Sequence, residues 1–79
     1  MWSKGAMQVP LSSGEKASVR YWVKHYDEPS EWGIDGGRIS KLCLKAGTRD
    51  ICSYDRGWDI EPTSEEARLA FSMLMHEYN

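Results

Sequence analysis

Seventy-nine residues with a formal net charge of −2 make one small domain, near the lower limit at which a core folds without staples. A hydrophobic fraction of 41% and a charged fraction of 28% exclude a disordered chain, and the overall acidity argues against a general nucleic-acid binder. No apolar run approaches the roughly 18 residues that cross a bilayer, and Met1–Pro10 lacks the apolar centre of a secretory signal, so a cytoplasmic setting is expected.

In chain order, residues 1–16 are small, polar and broken by Pro10, Ser12, Ser13 and Gly14. They read as an N-terminal arm, with a short edge strand around Val9 and Leu11 as its most regular part. A single α+β domain is expected over residues 17–79. Ala17–Tyr26 alternates Val19, Tyr21 and Val23 with Arg20, Trp22, Lys24 and Tyr26, the period of a half-buried strand. Asp27–Ser30 ends it, because Pro29 interrupts both ladder and helix.

Three glycines within Trp32–Gly37 predict a loop. Ile39–Lys45 then reads as a second strand, with Leu42 and Leu44 on one face and Ile39, Lys41, Cys43 and Lys45 on the other. Ala46–Thr48 turns the chain, and Arg49–Tyr54 returns as a third strand, completing a β-hairpin. Asp55–Pro62 reads as a loop. A helix follows, signalled by Thr63 three residues before Glu66, acidic residues in the first turn, and a stripe of Ala67, Ala70, Phe71, Leu74, Met75 and Tyr78. The expected fold is therefore α+β: an antiparallel meander of three to four strands with one C-terminal helix packed on one face. Val19, Tyr21, Val23, Leu42, Leu44, Ile51 and the helix stripe form the expected core. So small a core leaves homodimerisation through an edge strand open.

Charge is spread unevenly. Residues 1–49 carry eight Lys/Arg against five Asp/Glu, whereas residues 50–79 carry two against seven. A basic sheet face beside an acidic helix follows, each suited to a different partner. Arg20, Lys24 and Lys41 with Trp22 and Tyr26 line one such face; a solvated surface is its plainest reading, a protein-binding face the next, and nucleic acid the third.

Two loops hold the chemistry-bearing residues. In Gly33–Arg38, Gly36 and Gly37 expose backbone N–H groups beside Arg38 and Lys41, the makings of an anion site, although a tight turn entering the strand is the simpler account. In Tyr54–Asp59, Arg56 lies between Asp55 and Asp59, and Trp58 is either a lid on the core or a binding anchor. In a hairpin these two loops are neighbours. Trp32, Arg38, Lys41, Arg56 and Trp58 are accordingly the expected partner-binding residues, with arginines pairing to acidic groups and tryptophans as anchors.

Enzyme chemistry has no support. No Ser/His/Asp set has recognisable context, and neither Cys43 nor Cys52 lies beside a base. The two cysteines read as small, semi-buried thiols on paired strands, with a cross-strand bridge as the alternative, and His25 and His76 are too distant to form a ligand pair, so no metal and no cofactor are expected.

Gly36–Leu42 (GGRISKL) together with Tyr54–Asp59 (YDRGWD) and the acidic helix resembles a group of small proteins of Firmicutes bacteria, their phages and prophages, over roughly residues 17–79. That group has no established activity to transfer. The resemblance implies an accessory protein of a mobile element that binds a host protein stoichiometrically, for example to inhibit an antiviral defence component. The alternatives are a protein that sequesters an anionic nucleotide and a structural interaction module.

Overall fold

A computed structural model describes all of residues 1–79. Five strands, β1 (Trp2–Pro10), β2 (Lys16–His25), β3 (Ile39–Ala46), β4 (Arg49–Asp55) and β5 (Trp58–Ile60), form one antiparallel sheet in sequence order. A single helix, α1 (Glu65–Tyr78), crosses one side and packs against β1, β2 and β3. No helix is long and apolar enough to cross a membrane.

The α+β meander agrees with the sequence, but the strand count of three to four is too low. Residues 2–10 are not an irregular arm; they pair with β2 over nine positions, from Trp2 opposite Lys24 to Pro10 opposite Lys16. Along β1 the residues facing the helix are Ser3, Gly5, Met7 and Val9, so only its far half looks apolar in sequence. The edge needs no more, because Val9 is fully buried while Gly5 stays exposed. The second addition is β5, three residues within the expected Asp55–Pro62 loop, hydrogen-bonded back onto β4. A strand this short carries no legible alternation.

The β3–β4 turn is a two-residue connection in which Gly47 takes φ +64°, a conformation that costs a residue with a Cβ about 1 kcal/mol or more. A bulge near the start of β3 moves Ile39 to the core. Lys24 pairs with Lys41 but His25 pairs with Ile39, so Ser40 is the extra residue and the alternation flips across it. Ile39 is fully buried rather than sharing the face of Lys41 and Cys43.

The helix starts one residue later than the sequence suggests. The N-cap is Ser64, not Thr63, and its Oγ accepts the Ala67 N–H at 3.2 Å. Ala67, Ala70 and Leu74 are buried, and Phe71, Met75 and Tyr78 pack at the margin. Of the expected sheet core, Val19, Val23, Leu42, Leu44 and Ile51 are buried and Tyr21 is half-buried. The structure adds Val9, Ile34, Ile39, Cys52 and Tyr54, three of them delivered by the long edge strand, the glycine loop and the bulge.

Candidate functional site

Alternation dictates what lies on the side of the sheet that α1 leaves uncovered. Because Val19, Val23, Leu42 and Leu44 face the helix, the residues between them face out: Arg20, Trp22 and Lys24 of β2, and Lys41, Cys43 and Lys45 of β3. The register then aligns their neighbours into rows. Trp2, Lys24, Lys41 and Asp55 form one row; Lys4, Trp22, Cys43 and Ser53 form the next; Ala6, Arg20, Lys45 and Asp50 form a third.

Cations and indole rings therefore interleave. The Arg20 guanidinium lies 5.5 Å from the centre of the Trp22 ring, and Lys24 Nζ lies 5.9 Å from Trp2 and 5.7 Å from Tyr26. Trp2 is 54% and Tyr26 47% exposed, so these rings rest on the sheet rather than in it. Two rows also set like charges directly opposite across β2 and β3: Lys24 faces Lys41, and Arg20 faces Lys45. Such pairs destabilise a sheet by a few tenths of a kcal/mol or more. On this face Asp55 lies 3.8 Å from Lys41 and Asp50 lies 3.4 Å from Lys45, both well exposed and so weak partners. Of the other acids, Glu61, Glu65, Glu66 and Glu77 lie on and before the helix, and Asp27, Glu28 and Glu31 lie in the loop between β2 and β3.

Besides a cleft of about 410 Å³ beside Lys4, Ala6, Arg20 and Trp22, two clefts open on this face. One, of about 280 Å³, lies between Trp2 and Trp22, with Cys43 and Ser53 on its floor and Lys41 and Asp55 on its rim. The second, of about 310 Å³, is lined by Lys24, Tyr26, Ser30, Trp32, Lys41 and Arg56. Lys41 borders both.

The second cleft gathers Trp32, Lys41 and Arg56, three of the five expected partner-binding residues. The two motif loops meet here, as a hairpin requires. Tyr54 Oη donates to the Trp32 carbonyl at 2.9 Å, and the Arg56 N–H donates to the Ser40 carbonyl at 3.1 Å. The backbones brace each other while the side chains stay outside, with Trp32 59% exposed. Arg56 holds φ +56°, and its guanidinium lies 3.7 Å from Asp55, with no contact to Asp59.

Arg38 and Trp58 lie on the other side. Arg38 Nε donates to the main-chain carbonyl of Asn79 at 3.4 Å, and Trp58 packs edge-on between Tyr54 and Phe71 at the helix margin, still 39% exposed. The glycine loop is occupied by its own bonds. The N–H groups of Gly36 and Gly37 donate to Gly33 and Ile34, and the Asn79 side chain spans the loop, accepting from the Ile39 N–H at 2.9 Å and donating to the Ile34 carbonyl at 3.1 Å. The donors an anion would need are turned inward.

Trp2 and Lys4 complete the face, and local sequence does not place them there, because only the β1–β2 register brings them beside Trp22 and Lys24. The available signal is the alternation of Trp2, Lys4, Ala6 and Gln8 with Ser3, Gly5, Met7 and Val9, masked by small residues.

The thiols face opposite ways: Cys43 sits on the floor of the first cleft, and Cys52 is fully buried beneath the helix. Burial pushes Cys52 from the ordinary 9.0 up to about 12, with Cys43 adding to the shift, and burial also raises Cys43. Both therefore stay protonated and inert near neutrality. The unfolded chain loses the Cys52 proton first, so this contribution is intact below pH 9.0 and is lost as pH rises towards about 12. The slope is about 1.4 kcal/mol per pH unit at most. Tyr21, raised by burial and by Tyr78, acts in the same direction. Urea midpoints should accordingly fall as pH rises above about 9, and less steeply in Cys52→Ala; a parallel decline in both proteins would remove Cys52 as the cause.

No curated protein and no solved structure shows detectable similarity to this chain. One family does match, and it covers the edge strand as well as the two motif loops: over residues 1–79 the chain belongs to the family described as a domain of unknown function, DUF7678.

Proposed function

We propose that this chain is a non-catalytic binding protein that captures a negatively charged macromolecular partner on the open face of its sheet. The observation that carries the reading is the pair of like-charge contacts, Lys24 opposite Lys41 and Arg20 opposite Lys45, maintained beside exposed aromatic rings. A fold that needed only solubility would alternate signs there. An anionic partner relieves the repulsion, and the rings supply contact area at low entropic cost. In the phage setting that the two motifs suggest, stoichiometric occlusion of a host factor, a defence component among them, follows from such a surface. Trp32 and Arg56 extend the same surface, whereas Arg38 and Trp58 contribute to the scaffold.

Heparin chromatography tests this directly. Despite a net charge of −2, the protein should be retained at low ionic strength and released by salt. The variant Arg20→Ala, Lys24→Ala, Lys41→Ala, Lys45→Ala should pass through while keeping its circular dichroism spectrum. Flow-through of the parent protein would overturn the reading.

A further inference from the structure

We infer that the open face is a stacking platform for single-stranded nucleic acid. This rests on the reading of that face as the binding surface and narrows its partner to one class. Three arrangements on the face converge on this chemistry.

The first is the pairing of rings with cations at strand spacing. Trp2, Trp22, Tyr26 and Trp32 lie in or beside two clefts that share Lys41, and Lys24 stands between the rings of Trp2 and Tyr26. Planar bases stack on exposed rings whatever their sequence, while the backbone follows the cations. The cleft between Trp2 and Trp22, at about 280 Å³, is roomy enough for a planar heterocycle, and Ser53 and Asp55 offer its edge polar groups. The second cleft, at about 310 Å³, is a neighbouring site for the next ring.

The second is the placing of positive charge that is only weakly neutralised: Lys41 and Lys45 have the exposed Asp55 and Asp50, and Arg20 donates to the Gly47 carbonyl at 2.8 Å. The Lys24–Lys41 and Arg20–Lys45 pairs are four residues apart along β2, or about 13 Å at strand rise. Each presents two cations to one anion, so phosphates spaced along a flexible strand can neutralise both while bases occupy the clefts between. The acids of the helix lie behind the sheet and are screened over a Debye length of about 8 Å at physiological salt, which leaves, besides Asp55, Asp27, Glu28 and Glu31 of the β2–β3 loop as the acids nearest the second cleft.

The third is shape. Strands make most of this face, the β2–β3 loop borders only its second cleft through Tyr26, Ser30 and Trp32, and α1 lies on the opposite side, so no helix is presented to a groove. A duplex hides its bases from a surface of this kind. An acidic protein would satisfy the cations but would have to bring aromatic side chains of its own to fill the ring-lined clefts, whereas a nucleic acid carries a planar base beside every phosphate. A second copy placed face to face would set Lys4, Arg20, Lys24, Lys41 and Lys45 against themselves.

Fluorescence anisotropy with the full chain separates these outcomes. The probes are labelled oligothymidylate and oligouridylate of about 12 nucleotides, a duplex of equal length, and labelled polyglutamate. Single strands should bind at least tenfold more tightly than the duplex or polyglutamate, and the relative strength of the two homopolymers tells DNA from RNA. Trp22→Ala and, independently, the edge variant Trp2→Ala should each weaken binding roughly tenfold. Lys24→Ala should flatten the dependence of log K on log salt by about 0.7 for each phosphate it no longer neutralises, while raising the thermal midpoint by relieving Lys41. Arg68→Ala, the same change of net charge on the helix, should change neither.

Duplex binding equal to single-strand binding, or indifference to both tryptophan variants, would overturn the nucleic-acid inference. Polyglutamate binding that depends on Trp2 and Trp22 would replace it with an acidic protein. Heparin retention without single-strand binding would leave the open face as a cationic surface that captures anions and remove only the nucleic acid. Loss of both would remove the two readings together.

Discussion

Leu74→Ala should lower the stability of this protein by about 3–5 kcal/mol, the largest effect of any single truncation in the helix. Leu74 is fully buried on α1, and it is the largest of the three side chains the helix buries; Ala67 and Ala70 are the others. The sheet beneath is anchored in register by nine paired positions between β1 and β2, so it cannot collapse to fill the hole. A domain of this length has a total stability of roughly 4–12 kcal/mol, and the variant therefore loses a large fraction of it. The urea midpoint should fall with an unchanged m-value, and the thermal midpoint should drop by at least about 10 °C. Met73→Ala, one residue away on the exposed side, should stay within about 0.5 kcal/mol. Similar losses from both would show that α1 does not seat Leu74 as described.

The second large effect is expected at Gly33, and it arises from space rather than from backbone conformation. Gly33 is extended, with φ −75° and ψ 160°, which any residue adopts. Yet a Cβ there would run into the carbonyl of Gly37, a main-chain atom with no freedom to step aside. That carbonyl accepts the Ser30 N–H at 3.0 Å, and Gly33 N–H donates to the Ser30 carbonyl at 2.9 Å, so both ends of the loop are tied at the point of collision. Gly33→Ala should open the loop, expose Ile34 (1% exposed in the native fold) and cost roughly 2–3 kcal/mol. Gly36→Ala, which meets nothing but places a Cβ at φ +70°, should cost only about 1 kcal/mol. Because Trp32 and the Tyr54–Trp32 hydrogen bond belong to the same loop, Gly33→Ala should also alter tryptophan emission. An unchanged melt and spectrum would refute the collision.

How much of the fold is legible in the chain depends on whether an element's neighbours are local. The alternation of Val19, Tyr21 and Val23 sets β2 and its apolar face without reference to anything else. The Glu65–Tyr78 stripe does the same for α1, and the cap shifts by only one residue, since Thr63 and Ser64 are chemically equivalent N-caps. Arg20, Trp22, Lys24 and Tyr26 share one face on the same ground. Residues that depend on a partner strand behave differently. Alternation alone turns Ile39 outward, and only the Ser40 bulge, created by pairing with β2, turns it inward.

The pairing of the two motif loops shows both sides. Their proximity follows from hairpin geometry, and Trp32, Lys41 and Arg56 do share a cleft. Arg38 and Trp58 carry the same residue types at similar spacing but turn towards the helix, because Asn79 and Phe71, more than ten residues away in sequence, receive them there.

By itself, then, the sequence determined an α+β chain with a two-sided β2, an amphipathic helix and an uneven distribution of charge. Those properties follow from periodicity and composition, which involve residues within a few positions of one another. Only the tertiary structure decided that the edge strand extends over all of residues 2–10 rather than a short stretch around Val9 and Leu11, since a glycine-bearing edge strand is stabilised chiefly by its partner's backbone. That decision sets Trp2 and Lys4 beside Trp22 and Lys24, and the β2–β3 register sets Lys24 and Arg20 opposite Lys41 and Lys45. The charged, aromatic face is a product of register, and register is a property of strands together.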